Sequence, residues 1–399
     1  MYENLAVIAV FVFLYSIVSA KLEKTSFSGA ILFTGFGLAL GPTGLGVLEL
    51  DVDAELLRTL AELTLALVLF TDASNANLRV LKRSFHIPQR LLLLGLPLTI
   101  LLGVGAGLFL FDHLTFFEVA LLATMLAPTD AALGKAVVTD NRVPSNLREG
   151  LNVESGLNDG ICVPILFVFL TLATKMSTET SPILLTVKQV VGEIGIGMVT
   201  GFVLVFIGNW LLNRCLDLDW ITETWHQLPV PALAVACFAL AQWLGGSGFI
   251  ASFAGGLLFG KLEKQRKHKL LLAAEGTGDT LALYTWVLFG SAVVGQFFEQ
   301  FTWQVVVYSI LSLTVIRMLP VFLVLSGIKL RPEEKLFIGW FGPRGLASIV
   351  FGVIVLPAHL PGGSIITVTA VCTIILSVIL HGVSAHPLVK ALNVSSGHD

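Results

Sequence analysis

The chain has 399 residues, of which 55% are hydrophobic and only 13% are charged, and its mean hydropathy is +0.87. This composition is far more apolar than that of a water-soluble domain, so we predict a polytopic membrane protein without a soluble catalytic module or nucleic-acid binding. The formal net charge of -3 identifies no partner, and four scattered cysteines without CxxC spacing predict neither disulfides nor a zinc site.

Hydropathy predicts membrane-spanning helices along the whole chain, since one crossing takes about 20 apolar residues. The thirteen predicted spans are 4–20, 26–41, 55–72, 89–111, 116–136, 150–173, 184–213, 227–244, 247–261, 279–297, 302–327, 334–356 and 364–386. The first is expected to be a retained span, because the residues before it lack the basic region of a signal peptide.

The positions of lysine and arginine test this count independently. With the N-terminus outside, 19 of the 24 basic residues fall in cytoplasmic loops, three fall outside (Arg58, Lys175 and Lys188) and two lie within spans (Arg317 and Arg344). This split follows the positive-inside rule. We therefore expect an external N-terminus and a cytoplasmic C-terminus.

Two similar offsets in the sequence indicate an inverted repeat. Residues Ser28–Gly41 (SGAILFTGFGLALG) and Ser247–Gly260 (SGFIASFAGGLLFG) match at six of fourteen positions, and seven crossings, an odd number, separate them. Pro128 in span 5 and Pro343 in span 12 lie 215 residues apart, and each removes a backbone donor from an apolar helix. We predict an all-α fold of inverted repeats in which two broken helices cross near the midplane, as in secondary transporters.

The first break carries Pro128, Thr129 and Asp130. A charge at bilayer depth costs roughly 2.5–3.5 kcal/mol even on the mildest scale, so acids remain in spans where they pair or bind something. The break frees carbonyl oxygens close to a hydroxyl and a carboxylate. Such hard oxygen donors suit a small cation better than a transition metal.

The next span carries Glu154-Ser155-Gly156-Leu157-Asn158-Asp159. Ser155 and Asp159 share one helix face, and Glu154 and Asn158 share the adjoining one. We expect Asp130 and Asp159 to face each other across an oxygen-lined site. A carboxylate there can hold either a proton or a small cation, and competition for one site is the simplest physical basis for exchange.

Two arginines within the spans need partners. Arg344, at the second break, requires neutralisation, and Glu154 is the natural candidate for its counterion. Arg317 is expected to snorkel or to form a similar pair. Both interpretations are structural rather than catalytic.

Other polar residues of the spans also receive structural interpretations. Asn158 is expected to cross-link helices, and His381 to be a hydrogen-bonded packing residue. Asp72, Glu275 and Asp279 lie near span ends and are expected to be mostly structural. Glu275 and Asp279, one helical turn apart, are alternatively candidates for the lining of a cytoplasmic entrance.

Three motifs together resemble a known family. Pro-Thr-Asp at 128–130, Glu-Ser-x-x-Asn-Asp at 154–159 and Gly-Pro-Arg-Gly at 342–345 resemble the cation/proton antiporters. The most similar branch is that of the NhaP-like sodium/proton antiporters, which are related to animal sodium/proton exchangers. The resemblance runs along essentially the whole chain, and it implies exchange of Na+ or Li+ for H+, without enzymatic activity or a cofactor.

The resemblance also implies roles for individual residues. The implied cation site consists of Asp130, Asp159, Thr129, Ser155 and, through water, Glu154. The implied supporting residues are Pro128 at the first break, Asn158 in the core and Arg344 paired with Glu154. Asn158 stands where electrogenic relatives carry a second aspartate, which implies electroneutral one-for-one exchange.

At the level of architecture, the resemblance implies a homodimer in the plasma membrane of a prokaryote, working by alternating access. The dimerisation scaffold would comprise about 4–72 and 227–297, the ion-translocating core about 89–173 and 302–386, and a linker helix about 184–213. A potassium/proton antiporter of the same fold is the alternative, because both cations use oxygen ligands.

Two function classes outside the antiporters also account for part of the pattern. An intramembrane aspartyl protease would use Asp130 and Asp159 as a catalytic dyad. Its usual flanking sequences are missing, and it leaves the repeat and Arg344 unexplained. A channel would pass cations without countermoving protons, so coupling measurements separate it from an antiporter.

Overall fold

The computed structural model describes residues 2–22, 25, 28–48, 54–76, 87–130, 133, 137, 140, 142–176, 183–264 and 266–396. Every regular element within these ranges is a helix, and no strand occurs in them. The prediction of an all-α fold is confirmed.

The helices are numbered in chain order. They are α1 (Tyr2–Leu22), α2 (Gly29–Leu40), α3 (Ala54–Asn75), α4 (Ile87–Leu110), α5 (Phe116–Met125), α6 (Ser145–Met176), α7 (Ile183–Asp217), α8 (Pro229–Trp243), α9 (Gly248–Leu262), α10 (Lys267–Gln300), α11 (Trp303–Val324), α12a (Pro332–Trp340), α12b (Leu346–Val355) and α13 (Gly363–Ser396). Helices α4 and α10 each contain a π-helical turn, and α11 is interrupted at Thr314.

Helix lengths agree with a membrane-spanning chain. Among the described residues, seven helices are long and apolar enough to cross a membrane, and five shorter apolar helices accompany them. Two of the shorter ones, α5 and α12b, belong to the spans in which the sequence predicts a break. The number of thirteen crossings stays a prediction.

Helix α5 begins with a capping box and ends early. The backbone N–H of Glu118 donates to Thr115 Oγ1 at 3.3 Å, and the Glu118 carboxylate accepts from the Thr115 N–H at 2.8 Å. The helix ends at Met125, and residues 126–130 continue through Pro128 without helical structure. The break predicted from Pro128 is confirmed.

The second break separates α12a from α12b. Residues 341–345, Phe-Gly-Pro-Arg-Gly, are not helical. Pro343 costs no hydrogen bond in such a segment, because no helical acceptor is lost. Gly345 is required by space, since a Cβ at this position would collide with the carboxylate of Asp130. The break predicted at Pro343 is also confirmed.

The two breaks contact each other directly. The Asp130 N–H donates to the carbonyl of Pro343 at 2.8 Å, and the Leu346 N–H donates to Asp130 Oδ2 at 2.9 Å. Nearby, Ser348 Oγ donates to the carbonyl of Met125 at 2.9 Å. Polar groups freed by the breaks thus bond within the protein, as the bilayer interior requires. The predicted crossing of two broken helices is confirmed.

The sequence repeat has a counterpart in local structure. Ser28 and Ser247 cap α2 and α9, and each hydroxyl accepts from the N–H three residues further on at 3.4 Å. The aligned Gly37 and Gly256 both lie where a Cβ would collide with a carbonyl oxygen of a neighbouring helix. Small residues permit such close backbone approach in membrane proteins.

The helices fall into two packing groups. Helix α9 packs on α3, α7 and α8, and α10 packs on α2 and α3. In the other group α4 packs on α5, α5 on α6, and α11 on α12a and α13. Contacts of α6 and α12b with α3 join the groups. This grouping resembles the predicted scaffold and core, although α7, predicted as a linker helix, packs mainly with the scaffold.

Three connections between helices meet at a cavity of about 280 Å³. Its lining includes Asp112 and His113 after α4, Gln300 and Thr302 between α10 and α11, and Ser364 in the first turn of α13. The predicted topology places all three connections on the external side. Their contact shows that they share one side of the helix bundle, and the orientation of that side stays a prediction.

Glu118 offers a test of how α5 is held. It is 1% exposed, and its Oε1 accepts from the Gly362 N–H before α13 at 2.7 Å, while Oε2 accepts from Thr115. Glu118→Ala leaves the buried Gly362 N–H and the partly buried Thr115 N–H without their acceptor, so we expect a loss of roughly 1–3 kcal/mol of unfolding free energy. Thermal unfolding of the detergent-purified protein measures it. The exposed Glu299→Ala is the control. Equal losses in both variants would contradict a stabilising role of the Glu118 hydrogen bonds.

Candidate ion-binding site

Thr129 is the centre of a polar cluster that joins the first break to α6. Its hydroxyl accepts from Asn158 Nδ2 at 2.7 Å and lies 2.9 Å from Ser155 Oγ. All three side chains are buried. Asn158 therefore cross-links α6 to the break, and the cluster places two hydroxyl oxygens side by side.

Asp130 ends the first break with its carboxylate held by neighbouring amides. Its Oδ2 accepts from Leu346 N–H at 2.9 Å, and its Oδ1 accepts from Leu133 N–H at 3.3 Å. Leu346 is the first residue of α12b. The carboxylate thus lies at the positive end of a helix dipole, which stabilises its negative charge and fixes its orientation.

Asp159 has the opposite environment. Its side chain is 8% exposed, and Oδ1 has no hydrogen-bond partner among the described residues. The charges of Asp130 and Asp72 act on this carboxylate. A buried carboxylate oxygen without a donor is costly. A proton or a bound cation would remove that cost.

Glu154 pairs with Arg317, not with Arg344. Arg317 Nη1 lies 2.6 Å from Oε1 and Nη2 lies 2.8 Å from Oε2, a bidentate pair whose side chains are 1% and 2% exposed. The predicted pairing of Arg344 with Glu154 is wrong. Both arginines lie in predicted spans, and the sequence does not show which of the two lies closer to Glu154 in the folded protein. The expectation that Arg317 either snorkels or pairs is met by the pair.

Arg344 donates to backbone carbonyls instead of an acid. Its Nη1 donates to the carbonyl of Gly342 at 2.8 Å and its Nη2 to that of Ser312 at 3.4 Å. The Gly342 carbonyl lies in the break itself. The Ser312 carbonyl lies at the C-terminal end of the first part of α11, where backbone carbonyls carry partial negative charge. The break that contains the charged Arg344 side chain therefore also supplies a carbonyl, that of Gly342, which partly compensates this charge.

Asp72 is a candidate site residue that the sequence interpretation missed. A Cβ placed on Gly156, next to Ser155, would lie 3.6 Å from the Asp72 Cβ, and the charge of Asp72 acts on Asp159. Helix α3 continues to Asn75, three residues past the predicted end of its span. Asp72 thus lies against α6 rather than at the mouth of the span. The signal for this position in the sequence was an acid, Asp72, that closely follows the apolar run 65–70.

Further acids extend from Asp72 along α10. Asn75 Nδ2 donates to Glu275 Oε1 at 2.5 Å, and the charges of Glu275 and Asp279 act on Asp72. These two residues are one helical turn apart. Their position beside Asp72 supports the second of the two interpretations, the lining of an entrance.

Burial differs between the two ends of the site. Beyond Asp159 on α6, Cys162 and Leu166 are fully buried, and the Phe167 ring stacks on Phe249 of α9 at 6.4 Å. At the other end, Asp72 is partly exposed. The predicted topology places the end at Phe167 towards the outside and the end at Asp72 towards the cytoplasm.

A family profile matches nearly the whole chain. The profile, described as "Sodium/hydrogen exchanger, transmembrane", covers residues 7–391, which include both breaks and α6. The chain belongs to the transmembrane sodium/hydrogen exchanger family. The resemblance indicated by the three sequence motifs is confirmed, and the chain is a multi-pass membrane protein.

The names of similar proteins refer to two different cations, potassium and sodium. The potassium/proton antiporter NhaP2 of Shewanella sp. (strain ANA-3) is 22% identical over 355 residues, which are 89% of this chain and 61% of the relative. A sodium/proton antiporter of Schizosaccharomyces pombe (strain 972 / ATCC 24843) is 26% identical over 321 residues, 72% of this chain and 68% of the relative. The chain spans about three fifths of the length of relatives such as the Shewanella antiporter.

A solved structure of the exchanger family shares the architecture. The sodium proton antiporter MjNhaP1 from Methanocaldococcus jannaschii at pH 8 matches with a TM-score of 0.78 and 20% sequence identity. The match covers 98% of this chain and 99% of that chain. It shows that this chain has the same fold.

The pair of Glu154 and Arg317 can be tested by paired substitutions. Arg317→Leu leaves an uncompensated buried carboxylate, so we expect a loss of roughly 3–5 kcal/mol in unfolding free energy. Adding Glu154→Leu removes the unpaired charge and should recover most of that loss. Thermal unfolding and the yield of monodisperse protein measure both effects. Arg344→Leu is the comparison; if Glu154→Leu rescues it instead, Arg344 is the partner.

Proposed function

We propose that this protein exchanges a monovalent cation for protons across the membrane, with Na+ or Li+ as the cation. The observation that carries the proposal is the buried, unpartnered Oδ1 of Asp159 beside two crossing broken helices. Paired broken helices mark the substrate site in many secondary transporters. Membership of the sodium/hydrogen exchanger family supports the same activity.

The proposed cation ligands are the oxygens that the two breaks and α6 bring together. Asp159 supplies the unpartnered carboxylate oxygen, and Asp130 a carboxylate whose orientation the Leu346 amide fixes. Thr129 and Ser155 supply neighbouring hydroxyls. Both oxygens of Glu154 bind Arg317, so its contact with the cation would run through water.

Exchange follows from competition at these carboxylates. A proton and a cation each neutralise Asp159, so the occupied site can move through a low-dielectric environment, whereas the bare charge cannot. Within the described residues, no group of three or more His, Cys, Asp or Glu side chains is arranged to hold a metal ion. Two carboxylates with hydroxyl ligands form a weaker site, which suits a substrate that must be released.

We propose electroneutral exchange of one cation for one proton. Asn158, whose amide donates to Thr129, carries no titratable proton. We assign Pro128 and Asn158 to the support of the break, because Pro128 interrupts the helix and Asn158 Nδ2 joins α6 to Thr129. Arg344 and the pair of Glu154 with Arg317 hold fixed charges whose partners lie within the core.

The alternative cation is potassium. The potassium/proton antiporter NhaP2 of Shewanella carries K+ in its name, whereas the Schizosaccharomyces relative carries Na+. Both cations take oxygen ligands, so this site's donor types fit either. Transport by the purified protein under sodium, potassium and lithium gradients separates the two.

The proposed transport cycle is alternating access. The core, about 89–173 and 302–386, would shift against a scaffold of about 4–72 and 227–297, with 184–213 as the linker helix. The apolar packing of Phe167 on Phe249 supports a cycle in which this side of the site is closed in one of its states. We further propose a homodimer in a prokaryotic plasma membrane, with the N-terminus outside and the C-terminus in the cytoplasm. A soluble cofactor has no role in this cycle.

An aspartyl protease remains a poorer account of the same residues. Asp130 and Asp159 lie close enough for their charges to interact. However, both Asp130 oxygens accept from backbone amides, which favours a fixed carboxylate over a proton-sharing dyad. The acids along α3 and α10 fit a cation path better than a peptide cleft.

Asp159→Asn should abolish cation-dependent proton movement in proteoliposomes. The amide neither takes up a proton nor carries a negative charge that a cation can neutralise. Fluorescence of an internal pH dye after a sodium step measures this. Asp140→Asn is the matched control: Asp140 lies outside the spans and pairs with Arg142 at 2.6 Å, which keeps the pKa of its carboxyl below its usual range. Exchange that persists in Asp159→Asn would remove this residue from the mechanism.

Electroneutrality predicts that the exchange rate is independent of membrane potential. Proteoliposomes clamped at different potentials with potassium and valinomycin, under one fixed sodium and pH gradient, should give the same initial rate of proton movement. A potential-sensitive dye verifies each clamp. If the initial rate of proton movement depends on the clamped membrane potential, each cycle transfers net charge, and one-for-one exchange is contradicted.

A further inference from the structure

His381 lies on α13 opposite the second break. One of its ring nitrogens contacts the break directly, and the other contacts Ser377. The ring is 2% exposed, and Nε2 lies 2.8 Å from the carbonyl of Trp340, the last residue of α12a. A carbonyl only accepts, so Nε2 is the donor in this contact. The same carbonyl accepts from the Gly342 N–H at 2.8 Å, so the ring adds a second donor at the end of α12a.

The other ring nitrogen acts through Ser377. Arg344 N–H, inside the break, donates to Ser377 Oγ at 2.6 Å, and that hydroxyl lies 3.2 Å from His381 Nδ1. Nδ1 also lies 2.9 Å from the Ser377 carbonyl. Hydrogen positions on the ring are assigned from neighbouring atoms, and in either tautomer the ring lies against Ser377, whose hydroxyl accepts from the Arg344 amide.

A third contact fixes the same helix end. The Trp340 indole Nε1 donates to Ser384 Oγ at 2.9 Å, and the indole and imidazole rings lie 5.1 Å apart. Ser377, His381 and Ser384 are spaced four and three residues apart, so they share one face of α13. That face holds the break at Trp340 and at Arg344.

The break in turn holds the candidate ion ligand. The carbonyl of Pro343 accepts from the Asp130 amide at 2.8 Å, and the Leu346 amide donates to Asp130 Oδ2 at 2.9 Å. Both groups lie within two residues of Arg344. A displacement of the break therefore moves the groups that orient the Asp130 carboxylate.

We propose that His381, with Ser377, is a positioning residue for cation binding: it sets the geometry of residues 341–345 and through them the orientation of Asp130. It contacts none of the proposed ligands. The inference rests on the proposed function for its effect on transport, whereas its effect on the break does not depend on transport.

The test compares four purified variants with the wild type. His381→Leu removes both ring contacts, and Ser377→Ala removes the acceptor of the Arg344 amide with a smaller change. His381→Gln keeps an amide donor that can reach Trp340. His386→Leu is the matched control, since it replaces the same residue type on α13 and the His386 Nε2 has no hydrogen-bond partner among the described residues.

The transport measurement separates positioning from folding. We expect His381→Leu and Ser377→Ala to raise the apparent KM for sodium about tenfold, the effect of one hydrogen bond to a charged group. The maximal rate per folded molecule should change less than twofold. His381→Gln should restore much of the KM, and His386→Leu should match the wild type. A lower maximal rate with unchanged KM in both of the first two variants would overturn the proposal.

A second measurement is independent of transport. Hydrogen–deuterium exchange of the peptide containing 341–349 should be faster in His381→Leu and Ser377→Ala than in the wild type and His386→Leu. Equal exchange in all of them also overturns the proposal, and Ser377→Ala carries the test if His381→Leu fails to fold. If the wild type moves no protons with sodium, potassium or lithium, the proposed function fails, while this exchange measurement still decides the positioning role.

Discussion

The backbone bond between Asp130 and Pro343 is the constraint on which the rest of the site depends. Breaking a helix inside a membrane exposes amides and carbonyls that lipid cannot satisfy. Here two breaks meet, and the polar groups of one serve the other. Each break is tolerable because the other is present. Asp130 and Asp159 then lie in a region where the breaks already provide polar backbone groups. Their carboxylates therefore need fewer hydrogen-bond donors from other side chains.

The buried charges of the core are neutralised in different ways. Glu154 and Arg317 form a bidentate pair, Arg344 donates to backbone carbonyls, and Asp130 accepts from the start of α12b. Among these acids, only Asp159 keeps a buried carboxylate oxygen without a hydrogen-bond partner among the described residues, and the neutral Asn158 Oδ1 next to it in sequence also has none. This difference separates the charges of the core whose partners are fixed from the carboxylate that we propose a substrate completes.

The sequence predicted the features that local chemistry determines. Prolines within apolar runs located both breaks. Helical spacing placed Ser155 and Asn158 on adjoining faces of α6, and the structure shows that both of them contact Thr129. It failed where a choice depends on distance across the fold, as for the arginine that pairs with Glu154. It also missed the placement of Asp72, because hydropathy ended the span three residues before the helix ends. The cation ligands remain a proposal.

The main-chain character of the bond between Asp130 and Pro343 has a consequence for engineering. The Asp130 amide donates to the Pro343 carbonyl, so this link between the breaks does not depend on the side chain, whereas the bond from the Leu346 N–H to Oδ2 does. A change of the side chain at position 130 therefore removes one of the two links and leaves the other. The space that the Asp130 carboxylate occupies depends in turn on glycine at position 345, where a Cβ would collide with it.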